Sequence, residues 1–494
     1  MFRVFSLHIN RWVLILLTGD IVAYFIAIVL GTLLRVDPYM PRVSPGPWGF
    51  LVSHFTPFTL IGLTYLAVFY IADLYDYQKD FRNWRNVGQI VFATLLGTVV
   101  VIILFYFPFG VFVGRTLLIV AFFIFMSVVV VWRIIFSGLA LPERLQKRLL
   151  IVGAGTCGSQ LLKAVQARPR SGIKAIGFVD DDPQKIGNDI NGVPVLEDSS
   201  RLLELVQERQ INIVALAITH EKSPQLLRNL MKVDFSGCQV LDMPSLYEFL
   251  AGKIPVEHIS DIWFYFNSSQ NSKFYYRRMK SLWDVLLAIF YLIIVSPLLL
   301  VIPLAIRLDS PGPVFFRQQR LGKDGKPFWI IKFRTMVEDA ERNGPQWASP
   351  DDPRITRVGR ILRKLRLDEL PQLLNILKGE MSFIGPRPER QVFVNTFQQL
   401  VPVFRKKLLG SNALKIRVCD YVEQVPHYSY RLLVKPGMTG WAQVMYPYAS
   451  SQEETQEKLK YDLYYIKNMG FFLDLAILLK TIRIALFGRD KFAR

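Results

Sequence analysis

Four apolar stretches near the N-terminus constrain the fold of this chain more than any other feature. They cover about Trp12–Leu34, Phe58–Leu74, Val87–Phe107 and Thr116–Phe136. A helix needs about 20 apolar residues to cross a hydrocarbon core roughly 30 Å thick, and each stretch comes close to that length. Because backbone polar groups find no partners in lipid, residues 1–140 are predicted to form a membrane α-helical bundle of four spans.

Basic residues around these stretches predict how the spans are oriented. They cluster before the first span, between the second and third, and after the fourth, whereas the alternate loops carry only Arg35, Arg42 and Arg115. By the positive-inside rule, both ends of the bundle are expected on the cytoplasmic side. Asp20 lies within the first span, where a carboxylate is costly, so it is expected to face the bundle and to make a helix-packing hydrogen bond.

The charge of the whole chain narrows the range of partners. The sequence has 59 Lys and Arg against 40 Asp and Glu, which gives a net charge of +19. A basic protein binds nucleic acid, an anionic bilayer face or phosphorylated substrates. The long apolar stretches favour the bilayer and phosphates, and no nucleic acid is expected. The three cysteines are scattered without C-x-x-C spacing, which indicates neither a zinc site nor a disulfide framework.

A glycine-rich motif follows the spans. In the stretch RLLIVGAGTCGSQLLKAV, Gly153, Gly155 and Gly158 match G-x-G-x-x-G between a strand pattern and a helix pattern. A second strand pattern ends in Asp180, where an acid could meet a ribose. A doubly wound α/β, Rossmann-like domain is therefore predicted over residues 147–246. The glycines equally suit a tight turn with close helix–strand packing, so nucleotide binding stays open.

A fifth apolar run lies at the start of the last domain. Residues 247–277 are interpreted as a linker, and residues 278–494 as a mostly helical α+β domain. The run over residues 281–307 is long enough to span, yet basic residues flank both of its ends. Ser296 and Pro297 lie at its middle, where proline kinks a helix and serine can satisfy the freed carbonyl. We expect a re-entrant helix that enters and leaves on the cytoplasmic side; an ordinary fifth span with a proline kink is the alternative.

Two adjacent acids stand among arginines in the stretch LRLDELPQLLNILKGEMSFIGPRPER. Asp368 and Glu369 are expected near the N-terminus of the helix PQLLNILKGE, since proline is tolerated in a first turn. Cations and a helix N-terminus together bind phosphate groups, and they lower the pKa of nearby carboxylates. An ionised carboxylate serves as a nucleophile or as a ligand for Mg²⁺. An N-capping pair in a solvated charge cluster is the alternative interpretation. The cations concerned are Lys332, Arg363 and Arg387.

Several blocks in the last 220 or so residues carry a resemblance to a known family. They are DSPGPVFFRQQRLGKDGKPFWIIKFRTM, LRLDELPQLLNILKGEMSFIGPRPE, VKPGMTGWAQV and KYDLYYIKNMGFFLDLAILLKTI. This region resembles the bacterial sugar transferase family, the monotopic phosphoglycosyl transferases. With four spans and a nucleotide-fold domain in front, the chain is similar to the large members, the polyisoprenyl-phosphate hexose-1-phosphate transferases of exopolysaccharide and O-antigen synthesis.

The resemblance implies a two-step transfer. Asp368 would attack a UDP-sugar, release UMP and carry the phosphosugar until polyprenyl phosphate accepts it, with Glu369 as the second acid. Asp368 and Glu369 would also be the ligands of Mg²⁺. Asp462 and Gln443 match further positions near the substrate, and Ser296-Pro297 matches the break of the re-entrant helix. The residues implied in phosphate binding are Lys332, Arg363, Arg387, Lys280 and Arg320.

The resemblance also implies partners and a location. The expected substrates are a UDP-sugar, UDP-glucose or UDP-galactose, and undecaprenyl phosphate, at the bacterial inner membrane with the catalytic domain facing the cytoplasm. Homo-oligomer formation is left open. The chain departs from the family pattern at Lys280-Ser281, where the family usually has Lys-Arg, and by an insertion around residues 408–426. A membrane-anchored, nucleotide-sensing regulator or scaffold with an inactive transferase domain is the alternative function.

Overall fold

The computed structural model describes most of the chain as two compact units, Met1–Leu250 and Ala251–Arg494. The insertion around 408–426 and Arg390 lie outside the described residues. The described ranges are 2–4, 7–9, 11–35, 46–106, 115–139, 146–218, 223–268, 273–337, 340, 352–389, 427–446 and 452–488.

Apolar helices dominate the first part of the chain. After a short hairpin of β1 (Phe2–Val4) and β2 (Leu7–Ile9), the helices are α1 (Arg11–Arg35), α2 (Gly46–Ser53), α3 (Phe55–Ile71), α4 (Trp84–Val101) and α5 (Arg115–Leu139). By length and composition α1, α4 and α5 can each cross a membrane, and α2 and α3 form a pair bent by 67°. If the bent pair is one span, the described residues contain four apolar spans here, as the sequence predicts.

A buried ion pair ties the first and last of these helices together. Asp20 on α1 is fully buried and accepts a hydrogen bond from Arg133 on α5, which is also fully buried. Arg133 also donates to the carbonyl oxygen of Leu74. The prediction that Asp20 faces the bundle is confirmed, and its partner is a charge that the sequence analysis did not single out. The guanidinium further lies 4.9 to 5.7 Å from the centres of three rings: Phe69, Tyr75 and Phe81.

An α/β domain follows. Its strands are β3 (Lys147–Val152), β4 (Ile173–Val179), β5 (Asp189–Ile190), β6 (Val193–Glu197), β7 (Ile213–Leu216) and β8 (Gln239–Asp242), and its helices are α6 (Thr156–Gln166), α7 (Leu202–Glu208) and α8 (Pro224–Phe235). The sheet order is β5-β6-β4-β3-β7-β8, and only the edge strand β5 is antiparallel to its neighbour. If the five parallel strands β3, β4, β6, β7 and β8 are numbered 1 to 5 along the chain, they lie side by side in the order 3-2-1-4-5. This is the strand order found in dinucleotide-binding folds.

Parts of the segment predicted as a linker are helical. Helix α9 (Met243–Ala251) lies at the end of the first unit, whose last residue is Leu250, and α10 (Asp261–Asn267) belongs to the second unit. Within the second unit, the indole nitrogen of Trp441 donates to the carbonyl oxygen of Gly252 at 2.8 Å, and the Ile254 amide donates to Lys460 at 3.0 Å. Residues just after the unit boundary therefore form part of the second unit.

The next helix of the second unit is α11 (Lys273–Asp309), whose 37 residues extend beyond the predicted 281–307 at both ends. The helix continues through Ser296 and Pro297, so this pair does not interrupt it. Pro297 cannot donate to the carbonyl oxygen of Ile293, and the Ser296 hydroxyl donates to that oxygen instead, at 2.8 Å. The freed carbonyl is thus satisfied, as the sequence predicts.

One face of α11 packs along the second unit. Ala288, Leu292 and Val295 belong to one apolar cluster, and Leu299, Ile302 and Ile306 to the next. These positions recur every three or four residues, which is the spacing of a single helical stripe. The opposite face is exposed from Met279 to Leu308. Hydrogen bonds fix both ends to the same unit: Lys280 to Asp474, and the Val358 amide to Asp309 at 2.8 Å.

The other elements of the second unit are two strand pairs and several helices. The antiparallel hairpin β9 (Phe315–Leu321) and β10 (Pro327–Phe333) is followed by α12 (Arg357–Lys364) and α13 (Gln372–Leu377). β11 (Ser382–Ile384) and β12 (Gly437–Thr439) form a short parallel pair, and α14 (Trp441–Met445), α15 (Gln452–Asn468) and α16 (Phe471–Phe487) end the unit. Leu373 and Ile376 of α13 pack with Phe328 and Ile330 of β10, which brings the turn before α13 against the hairpin.

Candidate functional site

The acid pair lies in a tight turn between α12 and α13. Asp368 and Glu369 belong to a 3-10 turn over Leu367–Glu369, just before α13 begins at Gln372. Arg366, which precedes the turn, has φ of +55°, a left-handed conformation that costs energy in a residue other than glycine. The acids lie before a helix as predicted. That helix ends at Leu377 rather than at Glu380, so its dipole is small.

Two cations reach the same carboxylate oxygen of Glu369. Lys332 on β10 donates to Oε1 at 3.1 Å, and a guanidinium nitrogen of Arg387, which follows β11, lies 3.6 Å from that oxygen. All three side chains are mostly shielded from solvent. Residues far apart in sequence therefore converge on one carboxylate, as the sequence predicts for these two cations.

Arg363 is held close to Asp368 by the packing of α12. Its Nε donates to the hydroxyl of Thr335 at 2.8 Å. Gly359 allows this approach, because a Cβ there would lie 2.2 Å from the carbonyl oxygen of Thr335. The charge of Arg363 acts on Asp368 and favours its ionised form. The third predicted cation is thus part of the same cluster.

The two acids differ in their proton affinity. Burial and the charge of Glu369 raise the pKa of Asp368, and Lys332 and Arg363 only partly offset this. Burial would also raise the pKa of Glu369, but Lys332 and Arg387 lower it to about 2. The prediction that the cations depress both acids is therefore correct for Glu369 and wrong for Asp368, because at Asp368 burial and the charge of Glu369 outweigh the charges of Lys332 and Arg363. Adjacent carboxylates with diverging pKa values are typical of acid–base and nucleophilic sites.

Asn375 fixes β10 against the turn, and the sequence analysis missed it. It is fully buried on α13, accepts a hydrogen bond from the Ile331 amide at 3.1 Å and donates to the carbonyl oxygen of Trp329 at 2.7 Å. These groups lie on the edge of β10 that β9 leaves unpaired. The next residue along β10 is Lys332, so Asn375 sets the position of that cation. An asparagine within the apolar stretch LLNIL is the signal that would have indicated it.

A second charged network lies behind Arg387. Arg431, which precedes β12, donates to the carbonyl oxygen of Arg387 at 3.2 Å and lies 2.8 Å from Asp462 and 3.3 Å from Glu389. Lys458 lies 3.3 Å from Glu389, whose pKa these two cations lower to about 2 although burial would raise it. Sequence analysis missed Arg431, which has no distinctive motif around it.

Four residues expected near substrate have other neighbours in the structure. Asp462 is almost fully buried against Arg431, and burial raises its pKa. Gln443 is buried within α14. Lys280 forms an ion pair with Asp474. Arg320 donates to the carbonyl oxygen of Pro388 at 3.1 Å and to Gln318 at 2.8 Å. Direct substrate contact by these four stays a prediction from the family resemblance.

The glycine motif of the α/β domain has clear packing roles at two of its three positions. Gly153 has φ of +110°, and a Cβ there would lie 2.9 Å from the carbonyl oxygen of Ala217. A Cβ on Gly158 would lie 2.1 Å from the carbonyl oxygen of Gly153, whereas nothing lies within 4 Å of one on Gly155. Asp180 accepts a hydrogen bond from the Ala154 amide at 2.6 Å and pairs with Lys185. The turn-and-packing interpretation accounts for Gly153 and Gly158.

The acid pair also suits a magnesium ion. Lys332 and Arg387 both approach Oε1 of Glu369, and among the described residues no partner is found for Oε2. Mg²⁺ needs only one or two carboxylates when phosphate oxygens and water complete its coordination. Among the described residues, no group of three or more acidic, histidine or cysteine side chains could hold a metal. A site on this pair would therefore depend on the substrate for further ligands.

Comparisons with known proteins match both halves of the chain to families. The family model described as "Bacterial sugar transferase" matches residues 275–488, and the one described as "CoA-binding domain" matches residues 70–244. The first match contains the acid pair and the cations that surround it.

Three curated relatives are named as transferases. A UDP-N-acetylgalactosamine-undecaprenyl-phosphate N-acetylgalactosaminephosphotransferase of Aeromonas hydrophila is 38% identical over 53% of this chain and 55% of its own. A UDP-glucose:undecaprenyl-phosphate glucose-1-phosphate transferase of Xanthomonas campestris is 29% identical over 68% of this chain and 66% of its own. An undecaprenyl-phosphate galactose phosphotransferase of Salmonella typhimurium is 32% identical over 69% of this chain and 68% of its own. The chain thus spans from about half to two thirds of the length of these relatives.

Proposed function

We propose that this chain, which belongs to the bacterial sugar transferase family, transfers a hexose-1-phosphate from a UDP-sugar to undecaprenyl phosphate. One observation supports this most directly: a carboxylate of raised pKa stands beside one of lowered pKa, within a cluster of three cations. Such a cluster suits an anionic diphosphate and a covalent exchange at phosphorus. The names of the relatives describe the same class of reaction for those proteins.

The proposed reaction has two displacement steps. An oxygen of Asp368 attacks the β-phosphorus of the UDP-sugar, the bond to the bridging oxygen breaks, and UMP leaves with the electron pair. A phosphate oxygen of the polyprenyl phosphate then attacks the same phosphorus, and the Asp368 carboxylate leaves. The product is a polyprenyl-diphosphate sugar, and Asp368 is restored. One site serves a dissolved donor and a lipid acceptor in turn, because UMP departs before the lipid phosphate attacks.

The surrounding charges give the two acids different roles in the proposed reaction. Asp368 is the more basic carboxylate and so the better nucleophile once it is ionised. Glu369 stays ionised at neutral pH and holds Lys332 and Arg387 in place. When the donor binds, its phosphate oxygens share these cations and Arg363. Mg²⁺ bound at Asp368 and Glu369 would neutralise charge on the diphosphate and on the departing UMP.

We place the site at the membrane surface through α11, as a re-entrant helix that enters and leaves on the cytoplasmic side. Two contacts support this: Lys280 near one end and Asp309 at the other both bond to elements of the same unit. The packed stripe from Ala288 to Ile306 lies along that unit, whereas the opposite face is apolar and exposed, which suits lipid. Cysteine labelling tests this, since residues placed near Lys280 and Arg320 should both react only from the cytoplasmic side.

The finer assignments follow from the family resemblance. UDP-glucose or UDP-galactose is the proposed donor, the bacterial inner membrane the location, and the first step of exopolysaccharide or O-antigen synthesis the role. The three relatives reported above are named for N-acetylgalactosamine, glucose and galactose. A panel of these UDP-sugars, with UMP release as the readout, identifies the donor.

The decisive experiment traps the intermediate on the full-length protein. With donor alone, mass spectrometry should find one hexose phosphate on the peptide that contains Asp368, and undecaprenyl phosphate should remove it. Asp368→Asn should abolish both the adduct and UMP release, whereas Glu369→Gln should only weaken them. Full activity of Asp368→Asn would refute the covalent step. If the wild-type protein also releases no UMP from any UDP-sugar, a regulator or scaffold becomes the better account.

A further inference from the structure

A groove at the C-terminal end of α11 combines apolar walls with two arginines. Its volume is about 680 Å³. Arg307 lies in the last turn of α11, and Arg317 lies on β9. Among the residues that the structure describes, neither guanidinium has a hydrogen-bond or ion-pair partner. The lining residues are Pro303, Leu304, Arg307, Pro313, Val314, Phe315 and Arg317.

The apolar side of the groove is continuous with the exposed face of α11. Leu300, Leu304 and Leu308 succeed one another at four-residue spacing and are 78%, 62% and 80% exposed. By length and composition α11 can enter a membrane, so a stripe of this kind suits acyl chains. The stripe runs past Arg307, which places a charge where an acyl chain would end in its headgroup.

Two other basic side chains near α11 are already paired within the unit. Lys280, near the start of the helix, is bonded to Asp474, and Arg320, further along β9, is bonded to the carbonyl oxygen of Pro388. The family resemblance implied phosphate binding at Lys280. At the other end of α11, Arg307 and Arg317 have no such partner among the residues that the structure describes.

The groove is separate from the acid pair. Arg317 stands opposite Ile331 in the hairpin register, and the neighbouring residue of β10 is Lys332. Successive side chains of a strand point to opposite faces, so Arg317 and Lys332 face opposite ways. Lys332 is bonded to Glu369, and a phosphate between Arg307 and Arg317 would therefore lie on the other face of the hairpin from the reacting groups.

We propose that this groove binds an anionic membrane phospholipid. Its phosphate lies between Arg307 and Arg317, and an acyl chain follows the stripe of Leu300, Leu304 and Leu308. The bound lipid fixes the C-terminal end of α11 at the level of the headgroups, independently of the proposed transfer reaction. A zwitterionic phospholipid lacks the net charge that two unpaired guanidinium groups select.

The test compares lipid retention by variants of the full-length protein in detergent. Native mass spectrometry follows binding of phosphatidylglycerol and, separately, phosphatidylcholine. Each arginine near an anionic headgroup is expected to change affinity about fivefold, so Arg307→Gln with Arg317→Gln should weaken one phosphatidylglycerol site about 25-fold. Phosphatidylcholine binding should stay unchanged. The matched control, Arg209→Gln with Arg228→Gln, removes two exposed arginines of the α/β domain and should leave both lipids unaffected.

Conservative substitutions separate charge from shape and from damage to the fold. Arg307→Lys with Arg317→Lys keeps both charges and should retain the preference for phosphatidylglycerol to within a few-fold. Equal phosphatidylglycerol binding by the glutamine variant and the wild type would overturn the proposal. So would a parallel loss of phosphatidylcholine, since charge would not then be the determinant. Displacement of the bound phosphatidylglycerol by one equivalent of undecaprenyl phosphate would assign the groove to the acceptor instead.

Discussion

Asn375 offers the sharpest test of how the structure builds the site. Its amide fills the role of a third strand on the open edge of β10, and it bonds to the backbone of Trp329 and Ile331. It also donates to the carboxylate of Glu380 at 2.7 Å. Asn375→Leu keeps the size of the side chain and removes all three bonds. We expect it to loosen β10 and to move Lys332 away from the acid pair.

The structure sets the size of the effect. Two backbone groups lose their partner, at about 1–3 kcal/mol each, and burial of the leucine returns part of this, so a loss of about 2–5 kcal/mol is expected. For a unit of this size that corresponds to a midpoint lower by about 5–15 °C. A shift of Lys332 by about 1 Å should reduce UMP release about 100-fold.

The assay measures thermal unfolding in detergent and UMP release from the same preparations. Leu374→Ala is the matched control, because Leu374 is the preceding residue of α13 and is 43% exposed. Its loss should cost only about 1 kcal/mol and leave UMP release within a few-fold. If Asn375→Leu has the same unfolding midpoint and the same rate of UMP release as Leu374→Ala, the positioning of Lys332 by the Asn375 amide is refuted.

Three further predictions concern charged groups. The charge of Glu369 helps raise the pKa of Asp368, which must be ionised to attack; UMP release should therefore fall with decreasing pH at a point above pH 3.8, and Glu369→Gln should move that point lower in a pH profile. Arg133→Leu strands Asp20 in the bundle and should cost about 3–5 kcal/mol, measured as thermal unfolding, with Asp20→Asn in the same chain restoring part of it. Arg431→Leu leaves the buried Asp462 without its ion-pair partner and Glu389 with Lys458 alone, and it should lower stability by a similar amount, whereas Arg431→Lys should lose less.

Local patterns predicted much of the architecture. Apolar runs indicated the N-terminal spans, because the thickness of the membrane sets the length of a spanning helix. The strand, glycine turn and helix patterns around Gly153 indicated the α/β domain, because backbone sterics act on short segments. The freed carbonyl at Ile293 and its capture by Ser296 were also predictable, since both residues lie on one helical turn. By contrast, the extent of α11 was underestimated, because packing against the rest of the unit stabilises turns that the apolar run does not cover.

The sequence by itself determined the kinds of group that meet: apolar helices for lipid, a turn of glycines, two acids and a set of cations. Only the tertiary structure decided which cation serves which acid. Lys332 and Arg387 contact Glu369 rather than Asp368, Asp462 is paired with Arg431, and Lys280 with Asp474. The physical reason is that charge interactions depend on distances of a few ångströms between residues far apart in the chain, and those distances are fixed by packing rather than by spacing in the sequence.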